Sequence, residues 1–195
     1  MPDRVQSAVA TALPYAYPLD DFYARAGMAL PPIERIPGEQ MPEPYRSLLV
    51  HERDMTPTLE KFHGADIHLK ILNREQRGDF YFREVALLLD GSERPVEFGA
   101  NKISLGLFPP RARQLILEER LPLGRILADC ELGHNTVAKA FFTVMPDALI
   151  CGVLGLDQPA LLYGRRATIF DLQKRPLSEI VEILPPSVKK AEDGR

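Results

Sequence analysis

Two charged residues stand where a strand would ordinarily carry apolar ones. In "DFYFREVALLLDG", residues 79–91, Tyr81, Val85, Leu87 and Leu89 share one face at a period of two, and Arg83 falls in line with them. A guanidinium keeps its proton in a protein, so an inward Arg83 needs an anion or a dense set of acceptors. In "LSEIVEILPP" Glu182 is in register with Ile180 and Leu184, whereas Glu179 falls with Val181 and Ile183. The chemistry on offer is the capture of a small anion by a planar fork, with a carboxyl group near it to orient a ligand or relay a proton. The plainer reading is that Arg83 and Glu182 pair with each other, or with Glu84, Glu97 or Arg165. A buried pair gains little net stability, because desolvating each ion costs several kcal/mol. Two charges kept inside therefore point toward a polar ligand.

Other signatures are missing. There is no glycine-rich phosphate loop, no GxSxG and no HExxH. "HERDM" has one residue too many for a kinase catalytic loop. His51, His63, His68 and His134 lack metal-ligand spacing, and Cys130 and Cys151 form neither a CxxC pair nor a disulfide framework. No metal and no cofactor are expected, and a reducing cytoplasm is the simplest location. A net charge of −3, a pI near 5.8 and short, scattered basic clusters give no reason to expect a nucleic-acid partner. No apolar run reaches the ~18 residues of a membrane span. Pro14 and Pro18 interrupt the weakly apolar N-terminal stretch, which reads as an extension and not as a signal peptide.

The elements that must position Arg83 and Glu182 follow from the periodicity. A chain of 195 residues suits one packed domain. Residues 1–40 are rich in proline and alanine and predict an extended arm with a short helix around "LDDFYARAGMAL". The body runs from 41 to 187, followed by a charged tail at 188–195. "DMTPTLEKFHG" predicts a helix with Thr56 as N-cap, Pro57 at its first position and Gly64 closing it. "ADIHLKILNR", the Arg83 segment and "VEFGANKISLGL" predict an antiparallel meander. "PPRARQLILEERLPLGRILAD" predicts two short helices divided at Pro122. "AFFTVMP" and "ALICGVLG" fit either strands or buried helix ends. "LLYGRRATIFDL" and "LSEIVEILPP" predict a terminal hairpin. Strands paired in sequence with helices grouped between them define an α+β protein with an antiparallel sheet.

Four of these segments, in this order between Leu48 and Pro186, resemble the chorismate pyruvate-lyase family. They are "LLVHERDMTPTLEKFHG", "YFREVALLLDG", "LPLGRIL" and "LLYGRRATIFDLQKRPLSEIVEILPP". "PVEFGANKISL" is nearer the divergent bacterial and archaeal branch. The resemblance implies an antiparallel sheet with helices packed on one side and a covered ligand site. It implies cofactor-free elimination of pyruvate from chorismate to give 4-hydroxybenzoate, as a step of aromatic-acid or secondary metabolism. In that pattern Arg83 binds the ring carboxylate, Glu182 stands near the ring's oxygen substituent, and the backbone amides of Met55 and Leu123 add donors. Lys102 stands where the divergent branch has an arginine, and Ala100 where the short enzymes have one; a lysine keeps the charge and loses the fork. The family fold also serves as an effector-binding domain of bacterial transcription regulators. A non-catalytic sensor of a small aromatic carboxylic acid, monomeric or homodimeric, is therefore the competing expectation.

Overall fold

A computed structural model describes residues 15–186. Seven strands, β1 (Ile33–Ile36), β2 (Ile67–Arg77), β3 (Phe80–Leu89), β4 (Pro95–Ser104), β5 (His134–Val144), β6 (Leu162–Asp171) and β7 (Pro176–Leu184), form one sheet. Its order is β1-β5-β6-β7-β4-β3-β2, and every pair is antiparallel. The predicted meander β2-β3-β4 and the predicted hairpin β6-β7 are both present, joined side by side along β4 and β7. The ambiguous stretch after Cys130 resolves into β5 and the helix α6 (Ala148–Leu154).

Helices α2 (Tyr45–Leu49), α3 (Met55–His63), α4 (Pro110–Glu118) and α5 (Leu123–Asp129) lie on one face of the sheet. Leu49, Met55 and Leu59 pack on Val85 and Leu87 there, and Ile116, Leu123 and Ile126 on Tyr81, Ile103 and Ile180. The opposite face is closed by α1 (Leu19–Arg25) and α6, with Leu19, Phe22, Ile150 and Leu154 against Phe82, Phe98 and Val181. Tyr23 donates to Asp147 at 2.9 Å, and Asp147 also caps α6 by accepting from the Ile150 amide at 2.9 Å, so the two helices are tied together. With both faces covered, β3 is buried from Tyr81 to Leu89.

Two local expectations change. The helix α3 begins at Met55, two positions ahead of the predicted start at Pro57, with Asp54 in place of Thr56 at the N-cap position. Thr56 lies inside the helix, while Gly64 closes it at φ +65° as predicted. The proline-rich segment does lie over the sheet, but it also contributes β1, which pairs with β5 at the edge. Four residues between Pro32 and Pro37 give too short a pattern to read as a strand, and prolines are tolerated on an edge. Residues 1–14 and 187–195 lie outside the described residues.

Candidate functional site

On the α3/α5 face, three successive cross-strand rows bring polar side chains together. In the first, Arg83 on β3 stands opposite Asn101 on β4, which neighbours Ile180 on β7. In the second, Val85 and Gly99 lead to Glu182 and Arg165. In the third, Leu87 stands opposite Glu97. Each residue is two positions from its counterpart in the adjacent row, so all of them point the same way. They enclose a cavity of about 40 Å³, whose roof is Met55 and Thr56 at the start of α3 and Leu123 and Gly124 at the start of α5.

Arg165 is fully buried and saturated. It donates to Glu182 through Nε, to the carbonyls of His51 and Arg53 at 3.0 Å each, and to Leu49 O at 3.4 Å. Its role is to tie the segment between α2 and α3 down onto the sheet. His51 accepts from Arg165 on Nδ1 at 3.2 Å and meets Leu48 O through Nε2 at 2.7 Å. Burial and the Arg165 charge push its pKa down to about 4, so it is neutral near pH 7.

Arg83 is the opposite case. It is 1% exposed, and its one side-chain hydrogen bond among the described residues is a long one from Nε to Asn101 Oδ1 at 3.4 Å. Its Nη1 has no partner among the described residues. Burial pushes its pKa down to about 10, which still leaves a full positive charge at neutral pH. Glu97 is 4% exposed, and its Oε2 likewise has no partner among the described residues. Burial, and then the neighbouring Glu182 carboxylate, raise its pKa well above the ordinary range against the pull of Arg165.

Of the residues singled out in the sequence, Arg83, Glu182, Met55 and Leu123 meet at this cavity. Met55 and Leu123 open α3 and α5, and the first N–H groups of a helix have no acceptor inside it. Glu182 takes the pairing with Arg165 that the plainer reading allowed; Arg83 has no acidic partner among the described residues. Lys102 is not brought to the cavity. It projects from the other face of β4, where its Nζ lies 3.2 Å from Glu179 Oε2 and 4.5 Å from the Phe80 ring centroid. The reason is the pleat: Lys102 is one residue from Asn101, so its side chain leaves the opposite side of the sheet. Asn101 is not among the residues singled out, and Glu97 and Arg165 enter there only as alternative ion-pair partners, yet the same period-two reading of "VEFGANKISL" and "GRRATIF" places all three inward with Gly99, Ala167 and Ile169.

At one end of the cavity Asp54 accepts from Thr136 at 2.5 Å and meets His134 Nε2 at 2.7 Å, beside a second cavity of about 220 Å³. Burial works against a charged His134, but the Leu132 carbonyl and the Asp54 carboxylate more than offset it and raise its pKa. Among the described residues no three His, Cys, Asp or Glu side chains gather as metal ligands, and no helix is long and apolar enough to cross a membrane.

The sheet order and its helices define an α+β architecture built on one antiparallel sheet. No family model and no curated protein matches the sequence. Among solved structures, the effector domain of PhnF from Mycobacterium smegmatis is similar with a TM-score of 0.54 at 15% identity, over 68% of this chain and 88% of that one. A longer PhnF structure from the same organism gives a TM-score of 0.54 at 14% identity, over 70% of this chain. This chain spans 65% of the length of that longer structure. At such identities the likeness establishes the fold.

Proposed function

We propose that this chain is a binding domain for a small carboxylic acid, held by Arg83 in the cavity beneath α3 and α5, and that occupancy is its function. The observation that carries this is the buried, unpartnered Nη1 of Arg83. An unsatisfied buried charge is expensive, and a carboxylate supplies the bidentate partner that the protein does not. The cavity of about 40 Å³ also supports a sensor. A cavity that holds a benzene ring is about 150 Å³, so entry of a ring-sized ligand displaces α3 and α5 from the sheet. A ligand that binds only the displaced arrangement shifts the population toward it, which is what a sensor requires. The fold shared with the PhnF effector domain agrees with this use. Calorimetric titration with benzoate and 4-hydroxybenzoate tests the reading. Binding should be measurable for the native chain and weakened about 10- to 100-fold in Arg83→Ala, the worth of one charge-assisted contact. Equal binding by the variant would remove Arg83 from the site.

A second reading, elimination of pyruvate from chorismate, is favoured by one observation: Arg83, Glu182, Met55 and Leu123 line a single cavity. Positioning and backbone donors could then accelerate an elimination that is driven by aromatisation. Purified protein incubated with chorismate, with pyruvate followed over time, separates the two. Turnover that disappears in Arg83→Ala would establish the lyase, and binding of 4-hydroxybenzoate without turnover the sensor.

A further inference from the structure

The Glu97 carboxyl has no use in the pairings just described. It leans along β4 toward the Arg83 end: a Cβ placed on Gly99 would lie 3.1 Å from Glu97 Oε1 and 3.3 Å from Val85 Cγ2. Gly99 therefore leaves the space in which this carboxyl lies, one row from Asn101, against which the Arg83 guanidinium leans. Arg83 and Glu97 belong to the outer two of the three rows, on either side of the Val85–Gly99 row. Glu97 and Arg83 are thus two buried polar groups, each with an unpartnered atom among the described residues, facing one cavity.

We propose that Glu97 is the specificity-determining residue of the pocket, selecting monocarboxylic acids whose far end carries an uncharged hydroxyl or carbonyl oxygen and rejecting dicarboxylates. This rests on the carboxylate-binding reading of Arg83. The charged groups lining the cavity with Glu97 are Arg83 on β3, Arg165 on β6, Glu182 on β7 and Asp54 ahead of α3. Glu182 and Asp54 already have partners in Arg165 and in His134 with Thr136. Glu97 alone among these acids has a buried oxygen left to offer. Its raised pKa agrees, since a protonated carboxyl donates to a neutral oxygen and also accepts from a hydroxyl. Against a second carboxylate, an ionised Glu97 repels and a protonated one is too small a compensation for desolvating the charge.

The test compares benzoate, 4-hydroxybenzoate and terephthalate by calorimetry on the full chain. The native protein should prefer 4-hydroxybenzoate over benzoate by roughly 2- to 10-fold, the worth of one net hydrogen bond, and bind terephthalate weakest. Glu97→Leu should abolish the preference for 4-hydroxybenzoate over benzoate. Glu97→Gln, which keeps a donor and cannot ionise, should retain the preference and remove its decline as pH rises through the titration of Glu97. That variant also decides the matter if Glu97→Leu does not fold. Equal affinity of the native chain for benzoate and 4-hydroxybenzoate, or a preference that survives in Glu97→Leu, would overturn the role of Glu97. Failure of all three acids to bind would overturn the Arg83 pocket itself, and benzoate, which needs only Arg83, tells the two failures apart.

Discussion

On the α1/α6 face of the sheet, Lys102 and Arg166 both meet Glu179, at 3.2 Å and 2.7 Å, and all three side chains keep some contact with water. On the α3/α5 face, Arg83, Arg165, Glu97 and Glu182 are all buried. There one guanidinium is saturated and the other holds a single long hydrogen bond among the described residues. Both clusters sit on the same central strands and obey the same pleat. The difference is that the outer cluster satisfies itself, while the inner one leaves Arg83 and Glu97 incomplete. Unfinished polar groups inside a packed core mark the place where something other than the chain completes the arrangement.

The largest effect should come from the finished half of the inner cluster. Arg165→Met removes the hydrogen bonds that hold the segment from Leu49 to Arg53 and leaves Glu182 buried without its partner. Breaking a buried pair in this way destabilises by about 3–5 kcal/mol, read as a lower midpoint in urea. An unchanged midpoint would mean that the α2–α3 segment is held by packing alone, and the contrast between Arg165 and Arg83 would collapse.

Arg83→Met should act in the opposite direction. It replaces an incompletely paired buried charge with an apolar side chain of similar length, so the ligand-free chain should gain about 1–3 kcal/mol while carboxylate binding is lost. A loss of stability on that scale would show that Arg83 is held by native partners, as the outer charges are, and would break the comparison.

Glu97→Gln sharpens it through pH. The folded-state pKa of Glu97 is raised above its ordinary value of 4.5, so the folded protein holds a proton there that the unfolded chain has released. Its stability is therefore full below that ordinary value and falls as pH rises from it toward the raised pKa. The glutamine variant lacks this slope, so its advantage in urea unfolding should be absent below pH 4.5 and grow as pH rises above it. A constant difference across that range would place Glu97 in its ionised form and give Arg83 a counter-charge after all.

Much of this contrast was legible in the sequence because side-chain direction in a strand depends on parity alone. Arg83 and Glu182 are odd ones out on apolar faces, and the fold brings them to one cavity from about a hundred residues apart. What parity does not supply is partnership. Whether Glu182 takes Arg165 or Arg83 depends on how β6, β7 and β4 are registered, and register is a tertiary property. The edge strand β1 was hidden for a related reason, since it is defined by its pairing with β5 rather than by its own four residues. The start of α3 moved by two positions, and its N-cap residue Asp54 spends its side chain on His134 and Thr136, not on its own helix.

The smallest effect belongs to Lys102, and it is the control for the whole comparison. Resemblance alone would put a second anion-binding cation at this position, but the pleat turns it to the α1/α6 face. There it shares Glu179 with Arg166 and lies over Phe80, in contact with solvent. A partly exposed pair of this kind is worth about 0–1 kcal/mol, and Arg166 remains to neutralise Glu179 if the lysine is removed. Lys102→Ala should therefore shift the urea midpoint only slightly and leave benzoate and 4-hydroxybenzoate affinities unchanged. If binding fell in Lys102→Ala as it falls in Arg83→Ala, the two faces would have to communicate through β4. The separation of a self-satisfied cluster from a ligand-completed one would then fail at its simplest point.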